Sequence, residues 1–105
     1  MLHVVWEFRV RREDAPAFEE RYAPTGEWAR LFARAAGFER TLLLRDETEP
    51  GRYLTIDVWR DAAALETFRG AFAREYEALD RACEALTAEE RCLGRFEEPP
   101  RGPGG

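Results

Sequence analysis

The residue with the clearest potential for chemistry is an aspartate in the middle of a predicted strand. The segment RYLTIDVWR alternates in character, which places four side chains on one face: Tyr53, Thr55, Asp57 and Trp59. A carboxylate among aromatic groups is costly to bury unless it is paired, and burial raises its pKa. Asp57 is therefore a candidate general base. The alternative is a structural ion pair with an arginine such as Arg9 or Arg45.

Large aromatic side chains are expected to surround this aspartate. They recur with strand or helix spacing, so they can meet in one layer of the fold. The candidates for contacting a ligand are Trp6, Phe8, Tyr22, Trp28, Phe32, Tyr53, Trp59, Phe72 and Tyr76. One interpretation is a plain aromatic core and the other is a ligand pocket. Tryptophan and tyrosine favour a pocket, because their polar tips seek partners when buried.

Several residue types are missing, and this excludes several kinds of active site. The 105 residues include no serine, asparagine, glutamine or lysine, and all sixteen basic residues are arginine. Serine nucleophiles, Schiff-base lysines and phosphate-loop lysines are therefore excluded. Cys83 and Cys92 are expected to be free thiols, and with the single histidine, His3, they lack the ligand spacing of a zinc site. We predict no metal, and we expect His3 at the surface or an interface.

Hydrophobic periodicity predicts the elements that would hold these residues. Alternation predicts strands over residues 2–10, 39–46, 52–60 and 91–96. The Pro50-Gly51 turn signal predicts that the second and third strands form a hairpin.

Helical spacing fills the remaining segments. One helix is expected to begin at Asp14 and a second to be capped by Thr25, with Gly37 as a stop signal. A long helix is expected from the cap at Asp61, with Gly70 allowing a bend. The segment 87–90 resembles a capping box that opens a short final turn.

The order strand-helix-strand-strand-helix-strand defines the predicted fold class. It is the ferredoxin-like split βαβ arrangement, an α+β fold with a four-stranded antiparallel sheet and helices on one face. We predict one domain over residues 1–97. The remaining residues, 98–105, are rich in proline and glycine and are predicted to be a disordered tail.

Both faces of the predicted sheet carry large apolar groups. The third strand presents Leu54, Ile56 and Val58 on the face opposite Trp59, and the second strand adds Leu42 to one of the two faces. Helices can cover only one face, and monomers rarely expose a large apolar patch. We therefore predict a homodimer that packs through the uncovered sheet face.

Charge and hydropathy narrow the class of protein further. The formal net charge of −5 disfavours a nucleic-acid binder, which needs a basic face. No apolar run approaches the roughly 20 residues that span a bilayer, so no membrane partner is expected. The first residues lack the pattern of a secretory signal, and a cytoplasmic location is expected.

Three segments resemble a known family. The stretches GFERTLLLRD, GRYLTIDVW and RDAAALETFRGAF are similar to the antibiotic biosynthesis monooxygenase domain, and the resemblance covers roughly residues 2–97. Its most telling piece is the acid-x-Trp that ends the third strand, Asp57-Val58-Trp59. The resemblance implies a dimeric α+β barrel with a pocket between sheet and helices. It also implies a cofactor-independent oxygenase that converts small aromatic, polyketide- or phenol-like substrates to quinones with molecular oxygen.

Other activities of the same fold stay open. Haem-degrading members use an asparagine on the first strand and a histidine on the second helix, whereas this chain has no asparagine, carries Trp6 near the first position and has no histidine in its long helix. That departure argues against haem degradation, and we expect no cofactor. A non-catalytic small-molecule-binding dimer and an isomerase or cyclase remain as alternatives.

The segment RYAPTGEWARLF interrupts an otherwise amphipathic helical region. Pro24 disfavours helical geometry at the residue before it, and Tyr22, Trp28 and Phe32 flank the break. The break either follows the curvature of the sheet or forms the lip of a pocket, with Trp28 as its wall.

Overall fold

The computed structural model describes residues 1–100 and contains one four-stranded sheet with helices on one face. The strands are β1 (Leu2–Arg9), β2 (Phe38–Arg45), β3 (Arg52–Trp59) and β4 (Glu89–Glu97). They lie in the order β2-β3-β1-β4, and every neighbouring pair is antiparallel. The predicted ferredoxin-like α+β fold is confirmed.

Four helices connect the strands. They are α1 (Ala15–Tyr22), α2 (Glu27–Phe32), α3 (Ala62–Ala71) and α4 (Ala73–Cys83). The predicted cap of α3 is confirmed, because the Asp61 carboxylate accepts a hydrogen bond of 2.8 Å from the backbone N–H of Ala64. The single long helix predicted here is two helices, which meet at Phe72.

The break between α1 and α2 lies where proline predicts it, but its cap differs from the prediction. Ala23, before Pro24, has extended backbone angles (φ −64°, ψ 160°) and ends α1. The residue that precedes α2 is Gly26 rather than Thr25. A Cβ at Gly26 would lie 2.4 Å from the carbonyl oxygen of Arg21, so only glycine allows this close approach.

The covered face of the sheet carries the predicted aromatic layer. The β1–β3 register pairs Val4 with Asp57 and Trp6 with Thr55, which brings these alternating side chains to the helix side. Phe18 of α1 and Phe68 of α3 close the layer from above and are 0% and 1% exposed. Burial of this face against the helices is the main source of the fold's stability.

The C-terminal part of the chain differs from the prediction. A short 3-10 turn spans Glu84–Leu86 and precedes Thr87, so the segment 87–90 does not open a turn. Instead, β4 begins at Glu89, two residues before the predicted strand. The predicted tail begins at residue 98, and its residues 101–105 lie outside the described residues.

No helix of residues 1–100 lies over the opposite face of the sheet. Its polar end holds Glu7, which accepts hydrogen bonds from Arg52 (2.7 Å) and Arg91 (2.9 Å). Its apolar part includes Leu44 and Phe96, which are 44% and 52% exposed. The sheet therefore presents an uncovered apolar surface, as the two-faced pattern predicts.

Candidate functional site

A cavity of about 120 Å³, open to solvent, lies between the covered sheet face and the helices. It is lined by Trp6, Phe8, Tyr22, Trp28, Phe32, Thr41, Thr55, Asp57, Tyr76, Asp80 and Glu90. The volume is close to the roughly 150 Å³ of an engineered apolar cavity that takes up benzene. A single aromatic ring therefore matches the size of the enclosed space.

All four strands and three of the helices contribute to the lining. Because strand residues alternate between faces, directly paired residues such as Thr41 of β2 and Asp57 of β3 reach the cavity together. On the other side of β1, Glu90 of β4 pairs with Phe8. The helix side chains come from the end of α1, from α2 and from successive turns of α4.

Asp57 is the most buried carboxyl group of the cavity. It is 9% exposed, and its Oδ1 accepts a hydrogen bond of 2.8 Å from the hydroxyl of Thr41. Burial raises the pKa of Asp57 to about 6, although the hydrogen bond from Thr41 opposes the rise. The carboxyl group is thus largely ionised at neutral pH, yet close to the pKa of an efficient general base.

The alternative of an ion pair at Asp57 is not what the structure shows. Among residues 1–100, no arginine lies within ion-pair distance of this carboxylate. Arg9 pairs instead with Glu49 on the surface. The carboxylate therefore has one hydroxyl as its hydrogen-bond partner and no cationic partner among the described residues, so burial raises its pKa.

Two tyrosine hydroxyls face the same space. Burial is the main cause that raises the pKa of Tyr22, and burial followed by the carboxylate of Asp80 raises the pKa of Tyr76. Asp57 and Glu90 also contribute to the rise at Tyr76, while Arg69 opposes it. The hydroxyl of Tyr76 therefore lies within electrostatic range of all three carboxyl groups of the cavity, and both phenols stay protonated at neutral pH.

Trp28 brings a buried donor to the cavity wall. Its side chain is 7% exposed, and its ring packs edge-on against Tyr76 at 5.1 Å between centroids. The indole N–H is near enough to the Tyr22 oxygen to oppose the rise in that pKa, but it makes no hydrogen bond with any group in the described part of the chain. A buried unpaired donor costs about 1–3 kcal/mol, which a ligand acceptor would recover.

Four lining residues were not among the sequence candidates. Alternation had placed Thr55 on the same face as Asp57, and Thr41 could have been found from strand register, since it pairs with Asp57. Asp80 follows Tyr76 by one helical turn, a spacing that brings side chains together. Glu90 was expected to be solvated, and it is exposed overall, but it lines the mouth of the cavity because β4 begins earlier than predicted.

Three sequence candidates lie outside the cavity lining. Tyr53 packs on Phe18 and donates a hydrogen bond to Glu19, and burial raises its pKa to about 12. Trp59, 1% exposed, is packed in the core. Phe72 stacks on Phe68 at 5.4 Å. The other seven candidates line the cavity: Trp6, Phe8, Tyr22, Trp28, Phe32, Asp57 and Tyr76.

The remaining titratable and sulfur groups lie apart from the cavity lining. His3 is on the uncovered face, where its Nε2 lies 3.5 Å from Glu98. Cys83 is buried beside Arg21, and Cys92 is exposed. Within residues 1–100, no three histidine, cysteine or acidic side chains are grouped to hold a metal ion. No helix of this described range has the length and apolarity to cross a membrane.

Comparison with known proteins identifies the family. The fold is a small α+β domain with a cavity lined by aromatic and carboxyl side chains. Residues 1–78 match the family model for antibiotic biosynthesis monooxygenase, and the chain belongs to that family. No curated protein matches the chain.

Solved structures support the same assignment. SnoaB, a cofactor-independent oxygenase from Streptomyces nogalater, is 31% identical, with 97% of this chain and 96% of that chain covered and a TM-score of 0.69. A Deinococcus radiodurans protein assigned to the antibiotic biosynthesis monooxygenases is 18% identical over 98% and 97% of the two chains, with a TM-score of 0.74. MhuD, solved with manganese protoporphyrin IX, is 22% identical over 99% and 100%, with a TM-score of 0.73. The last two likenesses concern the fold alone.

Proposed function

We propose that this protein is a cofactor-independent monooxygenase that oxidises a small phenol-like aromatic compound in the cavity. The observation that carries the proposal is Asp57, a buried carboxyl group with a pKa of about 6 in an aromatic cavity the size of one ring. The similarity to SnoaB, a cofactor-independent oxygenase, supports the same reaction class.

The proposed reaction starts with removal of a proton from the phenol. The carboxylate of Asp57 accepts that proton, and the hydroxyl of Thr41 holds the other carboxylate oxygen in place. The resulting phenolate is electron-rich enough to reduce molecular oxygen, and a carbon–oxygen bond forms at the ring carbon para to the phenolate. Loss of the proton at that carbon and cleavage of the oxygen–oxygen bond yield a quinone and water.

The atoms and electrons of this reaction balance without a cofactor. One phenol and one O₂ give one quinone and one water, so the substrate supplies all the electrons that oxygen accepts. The protein contributes a base, a fixed orientation and a cavity whose aromatic walls exclude most water. Tyr76, kept protonated by burial, can donate a hydrogen bond to an oxygen that gains charge during the reaction.

The chain has no asparagine or glutamine, and its single histidine, His3, does not line the cavity. Asp57 is the group that we propose for the proton. A haem-dependent reaction fits less well, because no histidine or cysteine lines the cavity and about 120 Å³ is far too small for a porphyrin.

Oxygen uptake is the direct test of the proposal. A panel of single-ring phenols and larger anthrone-like compounds should include a substrate that consumes one O₂ per quinone formed. Asp57→Asn should lower kcat by about 10²–10⁴, the range for loss of a general base, with the melting temperature retained. Quenching of tryptophan fluorescence without turnover would indicate a binding protein, and product without oxygen uptake would indicate an isomerase or cyclase; either result overturns the oxygenase proposal.

We also propose that two copies of the chain pack through their uncovered sheet faces. The exposed side chains of Leu44 and Phe96 support this, as does β4, in which every residue except Gly94 is exposed. Light scattering at micromolar concentration should give about twice the chain mass of 12.1 kDa. A mass equal to that of one chain would remove the dimer from the proposal.

A further inference from the structure

The side chains that line the cavity carry negative charge. Three of its side chains are carboxylic acids, Asp57, Asp80 and Glu90, and none contributed by the described part of the chain is basic. Building on the proposed function, we propose that the cavity selects an aromatic compound that carries an organic cation, such as a protonated amine. In this arrangement the ring lies among the aromatic side chains and the cation lies beside Asp80 and Glu90.

The carboxyl groups mark two different ends of the cavity. Asp57 lies on β3 opposite Val4, whereas Glu90 lies on β4 opposite Phe8. Two strand spacings of about 4.8 Å and four residues of about 3.4 Å place the two backbone positions about 17 Å apart. A phenol ring can therefore lie beside Asp57, while a short cationic side chain extends towards Glu90 where the cavity is open to solvent.

The acidic end lacks a compensating charge. Among the described residues, neither Asp80 nor Glu90 forms an ion pair. Burial, followed by the charges of Asp80 and Glu84, raises the pKa of Glu90. Arg69 opposes the rise in the pKa of Tyr76 but does not line the cavity. A bound cation would relieve this repulsion.

The aromatic walls suit the same ligand. A cation near the face of tryptophan or tyrosine is attracted by the ring, most strongly where water is excluded. Trp28 and Tyr76 pack against one another on the wall that continues to Asp80.

An unpaired hydrogen-bond donor in the cavity wall independently favours ligand binding. The indole N–H of Trp28, a side chain that is 7% exposed, has no hydrogen-bond partner in residues 1–100. A phenol oxygen or carbonyl of the ligand can accept from it. The ligand class is therefore an aromatic compound with one oxygen acceptor and one cationic group. Aromatic carboxylates should be rejected, because their charge would face three acidic side chains.

Three probes that differ mainly in charge test this inference. Tyramine is cationic, 4-ethylphenol is neutral and 3-(4-hydroxyphenyl)propionate is anionic at pH 7.5, and each carries one phenol ring. Affinities measured by tryptophan fluorescence and calorimetry at low salt should favour tyramine over 4-ethylphenol by about 5- to 30-fold, and the propionate should bind weakest. Raising the salt concentration should narrow the difference.

Variants of the acidic end sharpen the test. In the double variant Asp80→Asn with Glu90→Gln, the ratio of tyramine affinity to 4-ethylphenol affinity should fall towards one. The matched control is Glu75→Gln with Glu89→Gln, which removes two charges from the same helix and strand at residues outside the lining, and its ratio should match that of the parent protein.

The outcomes separate this inference from the proposed function. Equal binding of tyramine and 4-ethylphenol, or tightest binding of the propionate, overturns the charge selection while leaving an aromatic-binding oxygenase intact. If the control double variant loses the preference for tyramine as well, the charge selection is also overturned. General surface charge would then explain the preference. Failure of all three probes to bind overturns both the inference and the proposed site.

Discussion

The aromatic layer between sheet and helices has two halves built from similar residues, and only one of them is filled. In the packed half, which comprises Phe32, Phe38, Trp59 and Phe68, neighbouring ring centroids lie 5.2–5.6 Å apart. The other half, around Trp6, Tyr22, Trp28 and Tyr76, leaves the cavity. Phe32 belongs to both. Ring size and number therefore do not decide where a cavity forms.

Polar groups distinguish the two halves. On the sheet side, the cavity is lined by the polar side chains of Asp57, Thr41 and Thr55. In the packed half, the sheet contributes the aromatic rings of Phe38 and Trp59. A buried carboxylate without a cationic partner is costly under a closed apolar layer. The cavity keeps Asp57 in contact with solvent or ligand, which lowers that cost. The comparison indicates that the cavity lies where the sheet presents polar residues to the helices.

Trp59→Ala is the substitution with the largest expected effect on stability. It removes a 1% exposed ring that contacts three other aromatic rings, and substitutions of this kind cost about 3–5 kcal/mol of the free energy of unfolding. Chemical denaturation measures the loss, and affinity for a phenol probe, measured well below the denaturation midpoint, should change by less than about threefold. If the affinity of the folded variant for the phenol probe fell by much more than threefold, the division into two halves would be wrong.

Much of this comparison could be predicted from sequence, but the division itself could not. Period-2 alternation placed Trp6, Phe8, Asp57 and Trp59 on one face, and the register of the structure confirms that placement. The same alternation predicted both Trp59 and Trp6 as pocket residues and did not distinguish between them. Whether a ring lines a cavity or fills it depends on how helices from distant parts of the chain are positioned over the sheet, which period alone does not encode.

The helix break shows the same limit at a smaller scale. Pro24 predicted where α1 ends, because proline acts on its immediate neighbour. The cap was assigned to Thr25, yet the chain uses Gly26, since the carbonyl oxygen of Arg21 lies where a side chain would be. Glu90 was likewise expected to be solvated, and its place at the cavity mouth depends on the pairing of β4 with β1. Both outcomes depend on contacts between segments.

The pH dependence of stability tests the polar half of the comparison. The pKa of Asp57 is about 6 in the folded protein against an ordinary 3.8, so this group stabilises the fold at low pH and the stabilisation is lost as pH rises through 6. The full shift corresponds to about 3 kcal/mol, of which about 1.4 kcal/mol falls between pH 5 and pH 8. Asp57→Asn has no such titration, so it should gain stability relative to the parent by about that amount across this range.

Urea denaturation of both proteins at pH 5, 6, 7 and 8 measures the difference directly, because every other titrating group is shared by the two. The sign of the change in relative stability with pH distinguishes an unpaired carboxylate from a paired one. A parent protein that gained stability relative to Asp57→Asn as pH rose would mean that the carboxylate is paired rather than unpaired in the cavity, and the polar origin of the cavity would then be wrong.

The smallest effect is expected from Trp28→Phe, which tests the wall between the two halves. The change keeps an aromatic ring beside Phe32 and Tyr76 but removes an indole N–H that has no partner in the described residues. Losing an unsatisfied donor offsets part of the cost of the smaller ring, so the free energy of unfolding should change by less than about 1.5 kcal/mol. Affinity for a phenol should fall about 3- to 10-fold, because the donor that would bind its oxygen is gone. A large loss of stability with unchanged affinity would assign Trp28 to the packed half, and the helix side of the cavity would then be formed by Tyr22, Phe32, Tyr76 and Asp80.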